Sequence, residues 1–378
     1  MDSQQINQTI KEIENFLQPF KDFWSIEILN NYPNTYQDSI EQMAEDLQNF
    51  DSFELASWLN SESSNLPLSL KDFSKNCQEI SYIPKSSKPP IKILSKFQIS
   101  NKKRHELAHL IAHIDPSGPI LDFAGGTGHL SQQFNNYSNQ QAVCLDNDEY
   151  LLKKGRKRFD SDCVHFKNFS ISPNIDLEHT THSVVALHNC GNLSDYVLDF
   201  FKRNSNTHCF YNIGCCYHKC KNDYKDSLPL SNHAKTLAIR SSFQTPEEIE
   251  KRIQVKKFRY TFELLLKEYY QIPHTSSLLS STQEFYKKDF QYYANQQLFR
   301  LKLTSTKNLN SFYKREDISK KVDRLIRLGF IRLYFSRILE KVIIYHRAKK
   351  LSSISSVQIH EIFDFKVSPR NILLSATR

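Results

Sequence analysis

Hydrophobic residues recur at two different periods along this chain, and the change of period marks its organisation. Through residue 95 or so the spacing is helical: Ile10, Ile13, Phe16 and Leu17 form one stripe, and Ile40, Met43, Ala44 and Leu47 another. A polar, proline-bearing stretch at 81–90 follows. Ser100 or Asn101 then caps a helix with the stripe Leu107, Leu110, Ile111 and Ile114, ended by Asp115-Pro116-Ser117-Gly118. Beyond it, short apolar runs at 120–123, 142–145, 163–166, 184–187 and 209–213 alternate with helix-like segments. Each run closes on an acid, a glycine or a polar cluster, as strands do whose carboxyl ends carry a site. Five such strands predict an α/β fold with a parallel, doubly wound sheet. Thr245-Pro246-Glu247-Glu248 starts a further helix, with a threonine cap, proline first and glutamate third. The apolar run 371–376 is short enough for a closing strand. The predicted organisation is an N-terminal helical cap at 1–96 that helps select the substrate, a core at 97–242, a helical insertion at 243–350, and a segment at 351–378 that completes the core sheet.

Composition narrows the class. Hydrophobic residues make up 39% and charged residues 24%, and no apolar stretch nears the roughly 18–20 residues that span a bilayer. The richest run, 330–345, carries Arg332, Arg337, Glu340 and Lys341 and reads as an amphipathic helix. The first residues lack the basic and apolar regions of a signal peptide. The eight cysteines, five of them between 190 and 220, are therefore expected as reduced thiols in the cytoplasm or nucleus. A net charge of +9 permits a polyanionic partner without demanding one. The basic clusters at 102–104, 153–158 and 256–259 read first as solvated helix faces and second as RNA contacts.

Glycine usage is more telling. Only 8 glycines occur, about 2% against a usual 7% or so, and three of them, Gly125, Gly126 and Gly128, fall within four residues. The segment Asp122-Phe123-Ala124-Gly125-Gly126-Thr127-Gly128 follows a strand and precedes a helix beginning near His129. Glycines let the backbone approach a cofactor closely, and the helix amino end offers free N–H groups. A dinucleotide fingerprint would need glycine at 131, where Ser131 stands. The pattern instead resembles the D/E-x-G-x-G-x-G loop of class I methyltransferases, with Ala124 in the first glycine's place as a sterically mild change. That resemblance implies a Rossmann-like fold and S-adenosyl-L-methionine as cofactor, with Asp122 orienting waters or amides around its methionine part. Asp146, 18 residues after Gly128, closes the next strand and can accept both ribose hydroxyls, with Asn147 beside it.

The strand ends supply candidate substrate groups. The fourth ends in His188-Asn189-Cys190-Gly191. Methyltransferases of exocyclic amines place an Asn or Asp here, followed by prolines and an aromatic. None of those follows Asn189, so adenine N6 chemistry is not supported. His188 is a candidate base or part of the donor pocket, or else a satisfied core histidine. The fifth strand ends in Gly214-Cys215-Cys216-Tyr217-His218-Lys219-Cys220. Its thiols read first as packing, with Tyr217 and His218 shaping the substrate mouth. A zinc site of Cys215, Cys216, His218 and Cys220 lacks a clean C-x-x-C, so no metal is expected. Cysteine-dependent C5-pyrimidine methylation of RNA, through Cys190 and Cys216, is the alternative chemistry. His105, His109 and His113 share one helix face and read as a polar stripe rather than ligands.

Several of these segments together resemble one family. Lys102-Lys103-Arg104-His105-Glu106, the Asp122 loop, Leu187-His188-Asn189-Cys190-Gly191 and Asn212-Ile213-Gly214-Cys215-Cys216-Tyr217-His218-Lys219 stand in the order seen in the methyltransferase-like protein 25 family, also called ribosomal RNA adenine dimethylase domain-containing. The likeness continues to Arg259, to Glu340 with Arg347, and to Ser368-Pro369-Arg370-Asn371; His346 stands where the family has an acid, which predicts a lost internal salt bridge. The resemblance implies a methyltransferase whose target is a ribosomal protein side chain or RNA. A catalytically inactive cofactor-binding scaffold and an RNA-binding adaptor are the rival readings.

Overall fold

The structure, a computed structural model, describes residues 1–378 apart from 64, 160–161, 176, 178–180, 222–227, 242, 274–282 and 306. Its contacts divide the chain into two units: Met1–Pro19, Ile80–Arg240 and Arg337–Arg378 form the first, and Phe20–Glu79 with Ser241–Ser336 the second. The segment expected as one cap is therefore shared, its first helix belonging with the sheet. The boundary expected at 242 lies outside the described residues.

The first unit is built on seven strands. β1 (Ile120–Phe123), β2 (Ala142–Asp146), β3 (Val164–Asn168), β4 (Ser183–Cys190) and β5 (Cys209–Cys215) pair in parallel. β6 (Ser356–Glu361) and β7 (Ile372–Thr377) extend the sheet to the order β3-β2-β1-β4-β5-β7-β6, with β7 antiparallel to both neighbours. Parallel strands covered on both faces need continuous apolar runs. Leu121, Phe123 and Val184 pack on one side with Val197 and Phe201 of helix Asn192–Arg203 and Ile344 of helix Tyr334–Leu351. Ile120, Ala142 and Val185 pack on the other with Leu107 and Ile111 of helix Asn101–His113 and Phe134 of helix His129–Ser138. The result is the expected three-layer, doubly wound α/β fold.

A buried polar hub holds the closing hairpin. The Glu340 carboxylate, 1% exposed, accepts from Arg337 and Arg370, each at 2.7 Å, and from the Tyr217 hydroxyl at 3.1 Å. Arg337 also donates to Asn371 Oδ1 and Glu361, so the two sides of the hairpin meet on one cation. Arg347 keeps a buried partner, Asp195, at 3.2 Å, while His346 faces Glu14 at 3.6 Å.

The second unit is helical. Thr245 caps helix Pro246–Tyr270 through a reciprocal bond pair with Glu248, as its sequence predicts. Its core includes Trp58, whose ring lies 4.8 Å from that of Tyr334 and whose carbonyl accepts the Tyr334 hydroxyl. Among the described residues no helix is long and apolar enough to cross a membrane.

Deleting residues 366–378 removes β7 and bares the ladder edges of β5 and β6, which template aggregation. The truncated chain is expected in the insoluble fraction; a soluble monomer by gel filtration would show that the sheet closes without β7.

Candidate active site

The loop after β1 is shaped by three left-handed residues, Ala124 (φ 56°), Gly126 (φ 59°) and Gly128 (φ 73°). A side chain in that region costs about 1 kcal/mol, so alanine at 124 is a strained choice rather than a mild one. Gly125 is small for another reason: a Cβ there would lie 2.6 Å from Asp122 Oδ2 and 2.7 Å from Cys144 Sγ. At Gly128 it would meet the Phe166 ring at 2.5 Å. Helix His129–Ser138 starts at Gly128 with no side-chain cap, so its amino end is open to a ligand.

Asp146 pins this loop from the neighbouring strand. Its Oδ2 accepts from Gly126 N–H and its Oδ1 from Asp148 N–H, both at 2.9 Å. A carboxylate has about four lone-pair sites, so capacity remains for two hydroxyls. Asn147 beside it is exposed, and Thr127 is half-buried within the loop. Asp122 points elsewhere than expected. Its carboxylate, 1% exposed, turns inward and accepts the Ser131 hydroxyl at 2.8 Å. It ties the strand to the following helix rather than facing a donor. Burial pushes its pKa up to about 6, against the Ser131 bond and Lys103, which lower it.

At the end of β4 a bulge between Leu187 and Asn189 sets His188 at φ 61°. Its Nε2 lies 2.8 Å from Oε1 of Glu106, a buried residue of helix Asn101–His113 that also accepts from Ser368. Burial pushes the Glu106 carboxyl up, but the His188 hydrogen bond and charge outweigh it, and the pKa falls below the ordinary value. Glu106 carries no chemical motif in the sequence; its place next to the apolar stripe of its helix is the signal there. Asn189 is 0% exposed, and neither atom of its amide has a partner among the described residues. Leaving such a group unsatisfied costs roughly 1–3 kcal/mol, so it points to an absent ligand or water.

The β5 end departs from expectation. Tyr217 is 1% exposed and bonds Gly214 O and Glu340, so it is a core residue and shapes no mouth. Local sequence does not mark this, because that partner lies 123 positions away. His218 is exposed on the short turn Tyr217–Lys219. Burial raises the Cys190 and Cys215 thiols above their ordinary range, the reverse of what a nucleophilic thiol needs. That direction weighs against Cys190 as a nucleophile of the C5 route. Of the histidine stripe, His105 accepts from Asp364 N–H, and the His113 ring contacts His109 O and Ser86. These are structural contacts.

Residues 102–223 match the family model described as Methyltransferase domain. They contain a methyltransferase domain. No curated protein matches the chain by sequence. Among solved structures, the chain is similar to the glycopeptide N-methyltransferase MtfA complexed with (S)-adenosyl-L-methionine, at 17% identity over 32% of this chain and 58% of that one, TM-score 0.26. It is also similar to an S-adenosylmethionine-dependent methyltransferase from Clostridium acetobutylicum, at 18% identity over 25% and 41% of the two chains, TM-score 0.21. Coclaurine N-methyltransferase bound to N-methylheliamine and SAH gives 12% identity over 99% and 98%, TM-score 0.29. The chain spans about half the length of the first two.

The donor of the methyltransferase domain is S-adenosylmethionine, and the residues fit it. Gly126 and Gly128 bare the backbone, the helix amino end is uncapped, and Asp146 presents free lone pairs beside the loop. When bound, the donor supplies an already activated methyl group; the chain's part is alignment.

Asp122 gives a pH test. Its folded pKa, about 6, lies above the ordinary 3.8, so the folded state holds the proton more tightly. Its stabilising share is full below the unfolded pKa and is lost as pH rises through the folded one, a difference on the order of 3 kcal/mol. Asp122→Asn should therefore melt higher than wild type at about pH 8, with the gain shrinking toward about pH 5. An equal gain at both pH values, read by scanning fluorimetry, contradicts a buried ionised carboxylate.

Proposed function

We propose that the whole chain acts as an S-adenosylmethionine-dependent methyltransferase on a component of the translation machinery, with a protein side-chain nitrogen as the favoured acceptor and RNA as the alternative. The observation that carries the acceptor is Asn189. Its amide is buried, unpartnered and set at the carboxyl end of β4, the strand beside β1 and its loop. A carboxamide oxygen there accepts an N–H and leaves the nitrogen lone pair directed at the methyl group. No aromatic follows Asn189 before position 192 to stack on a base, which favours an arginine-like side chain over a nucleobase. Support for a ribosomal target is the ordered resemblance of segments 102–106, 122–128, 187–191 and 212–219 to the methyltransferase-like protein 25 family, together with the net charge of +9. His188, braced by Glu106, is positioned to take the proton that an amine must lose.

The experiment incubates the protein with methyl-labelled donor and ribosomal subunits, followed by separate protease and nuclease digestion. Label should be released by protease. Asn189→Ala should lower turnover at least about tenfold, a difference near 1.4 kcal/mol, with donor affinity unchanged. Release by nuclease would move the target to RNA. No transfer to either fraction, or an unaffected Asn189→Ala, would overturn the proposal.

A further inference from the structure

Three thiols converge at the carboxyl ends of β4 and β5 by an arrangement that the methyltransferase reading does not use. Cys190 Sγ lies 3.3 Å from Cys215 Sγ and 3.2 Å from Cys216 Sγ, and all three sulfurs fall within 4.8 Å of one another. Ordinary strand geometry would not bring this about. Leu187 pairs with Ile213, so an unbroken register would set Asn189, not Cys190, opposite Cys215; the bulge at His188 shifts it by one, giving the pair Cys190–Cys215. Successive residues of a strand also point to opposite faces, so Cys215 and Cys216 would diverge. Cys216 instead adopts φ 50°, which turns its thiol onto Cys190. His188 and Cys216 are thus two non-glycine left-handed residues, each costing on the order of 1 kcal/mol, and both are needed to assemble the cluster. Thiols are weak hydrogen-bond donors, so the S···S contacts do not repay that strain.

We propose that Cys190, Cys215 and Cys216 form a three-thiolate site for a thiophilic divalent cation, zinc, with the fourth position left to solvent or a substrate group. Zinc–sulfur bonds near 2.3 Å place tetrahedral sulfurs about 3.8 Å apart, so shifts of about an ångström or less of the flexible thiols suffice. This is a different set from the one the sequence suggested, because His218 is exposed and the Cys220 sulfur faces Arg347. Lys219 contributes a favourable charge toward the Cys190 thiolate. Thiol ligands bind a metal as thiolates, so binding releases protons and weakens as pH falls.

Cobalt(II) is the probe, added to reduced, chelator-treated full-length protein under anaerobic conditions. About one cobalt per chain should bind, with thiolate charge-transfer and tetrahedral visible bands, and zinc should displace it. Cys190→Ser should lower affinity at least about tenfold, whereas Cys163→Ser, at the foot of β3, should not change it. Alkylation mass spectrometry of wild-type protein keeps the test independent of variant folding: zinc should protect Cys190, Cys215 and Cys216 and leave Cys163 as reactive as before. No charge-transfer band, equal alkylation with and without zinc, or a disulfide within the trio in place of metal binding would overturn the proposal. None of these readouts depends on methyl transfer.

Discussion

The structure of the site depends on one backbone constraint, the left-handed turn that carries the chain from β1 into helix His129–Ser138. Ala124, Gly126 and Gly128 all hold positive φ, and Gly126 N–H is fixed on Asp146. Parallel pairing of β1 with β2, Phe123 opposite Leu145, puts that carboxylate within reach of the loop. The loop leaves no room for side chains at Gly125 and Gly128, and keeps the helix amino end uncapped. The N–H groups of Gly125, Gly126 and Gly128 are bonded within the fold, so what the turn offers a donor is bare backbone beside the uncapped helix end.

A second constraint is the bulge at His188. One left-handed residue has three consequences. It sets the imidazole on Glu106, leaves the Asn189 side-chain amide buried without a partner among the described residues, and places Cys190 opposite Cys215. The buried Glu340 carboxylate joins Tyr217, after β5, to Arg337 of helix Tyr334–Leu351 and to Arg370 before β7. Removing one member of such a cluster strands a buried charge, which costs more than the cluster itself contributes.

Much of this was legible in sequence where the signal is local. The strands declared themselves as apolar runs, the donor loop as a glycine cluster in a glycine-poor chain, and the helix at Pro246 as a capping box. What was not legible depends on pairing at a distance. Tyr217 reads as lining a substrate mouth because Glu340 lies 123 residues away, and Asp122 reads as a donor ligand because Ser131 looks like an ordinary helix residue. The thiol cluster needed the register of β4 against β5, which a one-residue bulge shifts without any mark in the hydrophobic pattern. Segment 20–79 reads as continuous with the first helix, yet it packs with 241–336, because helical periodicity says which face is buried and not against what.

The most direct test of the account is hydrogen–deuterium exchange with and without S-adenosylhomocysteine, the demethylated donor product. The account predicts that binding slows exchange at the amides of 124–129 and 146–149, with helix Ser52–Leu59 of the second unit unchanged. No binding, or protection that leaves the 124–129 amides untouched, would contradict it.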